Sequence, residues 1–109
     1  MSMRIVYTCA ARQDLREIYA YLADTLLVPN TARSLTDKIL SEIRSLEEFP
    51  ERNPLYREEP WHSLGVRFLV VQNYLVFYTV RTETGTVSIA RILYGGRDIG
   101  RQLEETVKW

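Results

Sequence analysis

Apolar positions change period twice along the chain, and the changes mark out its elements. Arg4-Ile-Val-Tyr-Thr8 is β-branched and aromatic, as a short strand requires. Leu15, Ile18, Tyr19 and Leu22 then recur at helical spacing, which predicts an amphipathic helix. Pro29-Asn30 interrupts that stripe, and Asn30 is a candidate N-cap. A second stripe of Ala32, Leu35, Ile39, Ile43 and Leu46 follows and stops before Pro50, so the two helices are expected to form a hairpin.

Residues 50–63 carry Pro50, Pro54 and Pro60 among alternating Glu and Arg, with Leu55, Tyr56 and Trp61 as isolated apolar anchors, which predicts an irregular loop. Beyond Gly65 lie three strand-like runs, 66–71, 74–81 and 86–93, separated by Gln72-Asn73 and Glu83-Thr84-Gly85. They read as an antiparallel meander. The middle run is apolar on both faces, as suits a central strand covered by the helical hairpin and by something else opposite; Tyr74, Phe77 and Tyr78 are assigned to core. Gly95-Gly96 ends the last run, and Asp98 can cap a short terminal helix carrying Ile99, Leu103 and Val107.

The fold class expected is therefore α+β: an N-terminal strand, an antiparallel two-helix hairpin on a mainly antiparallel sheet, and a short C-terminal helix. With 109 residues and no long Pro/Gly/Ser-rich tract, residues 1–109 are expected to form one domain. Apolar residues at 46% and charged residues at 26% match ordinary globular proteins.

Charge narrows the function classes. Fourteen basic residues against fourteen acidic ones leave no global field to draw the chain to bulk nucleic acid, so any such contact must be local. Twelve of the fourteen cations are Arg, which favours planar bidentate contacts with phosphates or with a partner's carboxylates. Cys9 is the only cysteine and His62 the only histidine, so neither a disulfide nor a structural zinc site is expected, and no cofactor. Cys9, beside the end of the first strand, is read as a small buried thiol. The amino terminus lacks the apolar region of a signal peptide, and no run approaches a membrane span, so a cytoplasmic protein without membrane contact is expected.

The segment Ile-Val-Tyr-Thr-Cys-Ala-Ala-Arg-Gln-Asp-Leu-Arg-Glu-Ile-Tyr-Ala-Tyr-Leu, residues 5 to 22, resembles the opening of RelE/ParE toxins. It is joined in the family's order by Leu46-Glu-Glu-Phe-Pro50, by Gly65-Val-Arg67 leading into Asn73-Tyr74-Leu-Val-Phe-Tyr78, and by Arg91-Ile-Leu-Tyr-Gly-Gly-Arg-Asp98. That last motif is similar to the ParE-type ending and is the strongest of the four.

The resemblance implies the toxin component of a bacterial type II toxin–antitoxin system, forming a hetero-oligomer with a cognate antitoxin protein. It implies one of two targets: DNA gyrase, inhibited without chemistry by ParE-like members, or the translating ribosome, where RelE-like members cut mRNA. A third alternative is an inactive antitoxin-binding module of the same fold. If the chain is an endonuclease, Arg67 and Arg91 supply cations and Tyr94 a phenol. If it binds a target, Arg91, Tyr94, Arg97 and Asp98 are the residues implied.

Two departures favour the gyrase reading. The His-Tyr pair of YoeB-like endonucleases falls here on Leu93 and Tyr94, and residues 51 to 72 contain no Lys. His62 or Glu59 could replace the missing base or be plain surface groups. Arg67 and Arg91 could equally be structural partners of Glu17, Glu58 or Asp98, and Arg97-Asp98 only a turn and a cap. Tyr7, Tyr19, Tyr21, Leu26 and Leu27 exceed what one apolar stripe can bury, and are candidates for antitoxin binding or for a well-filled core.

Overall fold

A computed structural model describes residues 2–96, 98–106 and 109 of the chain. Strand β1 (Arg4–Tyr7) runs into helix α1 (Cys9–Ala20), which continues as one π-helical turn (Tyr21–Thr25). Helix α2 (Pro29–Arg44) folds back against it, with 3-10 turns at Ser45–Glu47 and Pro50–Arg52. Strands β2 (Arg67–Val71), β3 (Tyr74–Arg81) and β4 (Thr86–Tyr94) precede the short helix α3 (Ile99–Glu104). The sheet order is β1-β4-β3-β2; β1 pairs parallel to β4 and the meander is antiparallel, as the short turns between the three runs predict.

Thr8 starts α1 in an ordinary way: its backbone is extended, and its hydroxyl accepts from the Ala11 N–H at 3.0 Å. The same hydroxyl donates to the Ala90 carbonyl at 2.8 Å, bolting the beginning of α1 onto β4. Helix α2 departs from expectation. Its first residue is Pro29, with Val28 at the N-cap position and no side-chain cap, so Asn30 lies inside the first turn. Proline fits there because its fixed φ is helical and its missing N–H would have had no partner.

The hairpin buries Ala11, Leu35, Ile39 and Ile43 against Leu69, Val76, Tyr78, Val87, Ile89 and Ile92 on one face of the sheet. The opposite face is covered as well. Phe77, Leu93 and Phe68 meet Tyr56 and Trp61 of the proline loop, together with Leu103 of α3 and Trp109. Tyr56 stands edge-on to Phe77 at 5.4 Å and to Phe68 at 6.0 Å. An internal strand buried on both sides is what the unbroken apolar run 74–81 demands.

The proline loop also shields part of the β2 edge, since Phe68 N–H donates to Pro54 O and Tyr56 N–H to Val66 O. Cys9 corrects the sequence reading: it is exposed, as the first residue of α1. The turn of the helix carries Ala11 inward in its place. Asp98 occupies the N-cap position of α3 in a left-handed conformation, but its carboxylate makes no cap bond and instead accepts from Arg101 at 3.2 Å. Val107, assigned to that helix from the sequence, lies outside the described residues.

Candidate functional site

Strand β1 stops at Tyr7, opposite Ile89, so the remainder of β4 has no strand on that side. Helix α1 fills the vacancy. Asp14, two turns after the Thr8 anchor, reaches the open edge, and its Oδ2 accepts the Ile92 N–H at 2.9 Å. A buried backbone donor that would otherwise be orphaned is thereby satisfied.

Arg91 closes the arrangement. Its Nε and Nη2 each donate to Asp14 at 2.8 Å, a bidentate pair with side chains 16% and 9% exposed. Its Nη1 donates to the Gln102 carbonyl of α3 and to the Thr106 hydroxyl. The Asp14 hydrogen bonds raise the Arg91 pKa further above its ordinary value, against the opposing effect of burial. A register shift between Phe77 and Tyr78 sets Phe77 opposite Arg91 and Tyr78 opposite Ile89, leaving Ala90 as the extra residue of a bulge that aims Arg91 at α1. Asp14, rather than Glu17, Glu58 or Asp98, is the partner; a carboxylate on a helix is ordinarily solvated, so nothing local distinguished it.

Between this edge, the helical hairpin and the end of the sheet runs an open groove of about 740 Å³. Its walls are Ile18, Leu22, Leu26 and Leu35 from the hairpin, and Tyr74 and Ile92 from the sheet. Glu17 of α1 and Tyr21 of the π-helical turn, four residues on, line its mouth together with Tyr94, and Thr31 lies at the start of α2. The π-helical turn, closed by Leu26 N–H to Tyr21 O at 2.9 Å, widens the helix there and turns Tyr21, Leu22 and Leu26 onto the groove.

Tyr94 is half exposed and packs against two neighbours. It stands edge-on to Tyr74, its partner across the β3–β4 ladder, with ring centroids 5.5 Å apart. Its other support is Gly96, where a methyl group would lie 2.7 Å from Tyr94 Cε2. The Tyr74 phenol is pushed above its ordinary pKa by burial first and then by the neighbouring Tyr94 and Tyr21 phenols.

The residues singled out in the sequence separate into groups. Tyr21, Leu26 and Tyr94 line the one groove, and Leu27 projects beside it at the hairpin tip, 75% exposed and with φ of 59°. Val28 extends that apolar tip. Tyr19 is exposed on α1 but does not line the groove. Tyr7 ends β1, half-buried against the hairpin-side core, where burial raises its phenol pKa.

Arg67 and Arg91 point to opposite faces of the sheet, because their partners Tyr78 and Phe77 are consecutive residues of β3. The Arg67 guanidinium is held by the carbonyls of Asn53 and Glu51 at 2.6 and 3.1 Å. Arg67 and Tyr94 are level with Tyr78 and Tyr74, four residues apart, or roughly 13 Å along the strand at about 3.3 Å per residue. Asp98 is exposed and engaged with Arg101, and Arg97 lies outside the described residues.

Glu59 accepts from the Ser63 hydroxyl and N–H, which hold its carboxyl below the usual range, and His62 approaches it at 3.9 Å in the proline loop. A depressed carboxyl is a poor proton acceptor at neutral pH. Among the described residues no cluster of His, Cys, Asp and Glu could hold a metal ion, and no helix is long and apolar enough to cross a membrane.

Comparison with known proteins fits this architecture. The family model for the ParE toxin of the type II toxin–antitoxin system, parDE, matches residues 5–99. Among solved structures, the chromosomal ParDE system of P. aeruginosa includes a chain with TM-score 0.69 and 23% identity, the match covering 85% of this chain and 96% of that one. A chain of the RelBE2 toxin–antitoxin complex from Mycobacterium tuberculosis gives TM-score 0.60 at 21% identity, covering 86% and 99%. A mutant of the E. coli toxin RelE in the free state gives 0.64 at 14% identity, covering 97% and 94%. Among curated proteins none matches significantly.

Proposed function

The chain belongs to the ParE toxin family of type II toxin–antitoxin systems, and from that premise we propose that it arrests growth by binding DNA gyrase, and that a cognate antitoxin silences it through the groove beside Tyr94. The observation that carries the reading is the commitment of Arg91. With both bonds to Asp14 made and Nη1 on α3, four of its five N–H donors are used within the chain.

Cleavage of RNA by its own 2′-hydroxyl needs a base, an acid and cations brought to one phosphate. Arg67 is bound on the other face, Leu93 is apolar and buried, and Glu59 and His62 stand in a separate loop. Tyr94 remains as an exposed aromatic packed edge-on against Tyr74, which suits a binding surface.

Antitoxin docking is supported by the groove itself, its apolar walls and the exposed Leu26, Leu27 and Val28 at its end. The ParDE and RelBE2 chains of similar fold come from toxin–antitoxin systems. A test in cells is controlled induction of the chain in a bacterial host carrying a reporter plasmid. The expected result is growth arrest with loss of negative supercoiling in the plasmid while bulk mRNA stays intact. Prompt codon-phased cleavage of mRNA would assign the chain to the ribosome instead, and normal growth at confirmed soluble expression would leave an inactive antitoxin-binding module.

A further inference from the structure

The groove is apolar along its walls and distinctive at its mouth. Its charged lining groups are carboxylates, Asp14 and Glu17, and among the described residues no Lys or Arg lines it. That is notable in a chain with fourteen cations. Asp14 is paired with Arg91; Glu17 also feels the Arg91 charge, but it is exposed and its hydrogen bond is lateral, accepting from the Gln13 amide at 2.9 Å.

Tyr21, one turn beyond Glu17, lines the same mouth as Tyr74 and Tyr94, whose rings meet edge-on. A carboxylate beside tyrosine faces attracts a cation twice over, through its charge and through the negative ring faces. The same mouth repels a carboxylate.

We propose that the antitoxin segment filling this groove is apolar and carries one arginine or lysine, whose cation enters the mouth formed by Glu17, Tyr21, Tyr74 and Tyr94. This rests on the groove being the antitoxin's seat. It adds the chemistry of the occupant: the contact that fixes register is a cation on the antitoxin meeting an anionic, aromatic mouth on a toxin of zero net charge. Glu17 and Tyr94 then act as specificity determinants, admitting a basic anchor and rejecting an acidic one.

The test pans a displayed library of random 12-residue peptides on the full-length chain. Peptides are assigned to the groove when Thr31→Trp, a bulky change at an exposed position of α2, abolishes their binding while circular dichroism and melting stay unchanged. The expected groove binders share aliphatic residues and one Arg or Lys at a fixed position. Changing that residue to Glu should weaken binding about tenfold, and Glu17→Gln or Tyr94→Leu should each weaken the basic peptide several-fold, while Tyr94→Phe, which keeps the ring face, should not.

Groove binders with no basic preference, or with an acidic residue enriched, would overturn the cation anchor and leave the seat standing. If no peptide is sensitive to Thr31→Trp, the seat itself fails, and the anchor with it.

Discussion

Asp14 and Arg91, 77 residues apart in the chain, meet as a bidentate pair with both N–O distances at 2.8 Å. The pair joins α1, β4 and α3 and stands where β1 has run out. Removing its anion leaves a largely buried guanidinium and the Ile92 N–H without their partner. Asp14→Ala should therefore cost about 3 kcal/mol. Urea denaturation measures it, and Asp14→Ala with Arg91→Met should recover part of the loss, because the second change removes the orphaned charge.

Gly96 lies under the Tyr94 ring, where a methyl group would come within 2.7 Å. Because Tyr94 is half exposed, the ring can give way only by leaving its contact with Tyr74, at the cost of one aromatic pair. Gly96→Ala should shift the melting temperature by only a few degrees, corresponding to less than about 1 kcal/mol. It should also abolish the Tyr74–Tyr94 contact in NMR and weaken growth arrest. A variant with full toxicity and a displaced ring would remove Tyr94 from the functional surface.

Leu27 combines 75% exposure with a left-handed backbone at φ 59°, a conformation that suits Asn much better than Leu. Leu27→Asn should stabilise the free chain, by up to about 1 kcal/mol, in thermal unfolding. The same change should weaken the antitoxin complex in calorimetry, since the apolar tip of the hairpin is lost. Opposite signs in the two measurements are the expected signature of strain kept for binding.

Tyr78 donates its hydroxyl to Pro50 O at 2.6 Å and accepts from the Asn53 amide at 3.1 Å, and burial raises its pKa. Tyr7, Tyr56 and Tyr74 are raised likewise. A raised pKa means that the folded chain keeps its proton where the unfolded chain loses it. Stability from these groups is fully present below about pH 10, the unfolded tyrosine value, and is lost as pH climbs toward the folded values. Denaturant midpoints should be flat from pH 7 to 9 as far as tyrosine is concerned and fall above about pH 10. Tyr78→Phe should flatten that fall and, by orphaning its two partners, cost about 1–2 kcal/mol at neutral pH.

Periodicity alone identified the hairpin and the meander, because each has one side or two that must be apolar. The central run 74–81 even announced a covered second face, which Tyr56, Trp61, Leu103 and Trp109 supply. What stayed hidden depends on contacts between distant residues. The π-helical turn at Tyr21–Thr25 leaves no mark in an apolar stripe, yet it delivers Tyr21 and Leu26 to the groove. Arg91 was visible as a cation, but its partner was not, since Asp14 sits in a helix where any carboxylate looks solvated. Cys9 misled because a small apolar residue beside a strand is usually buried, and here the helix turns it outward.

Tyr94, Tyr21 and Leu26 were recognisable as candidates, whereas Tyr74 read as core and also forms the groove wall. A residue can do both when it lies at the end of a sheet.

The proposed inhibition of gyrase by binding is measured most directly in a supercoiling assay with purified DNA gyrase and the full chain freed of antitoxin. At equimolar toxin, supercoiling should be inhibited and cleavage complexes should accumulate, both relieved by adding antitoxin. Unchanged supercoiling and cleavage-complex levels, with toeprints on translating ribosomes showing new codon-phased cuts from the same preparation, would contradict it.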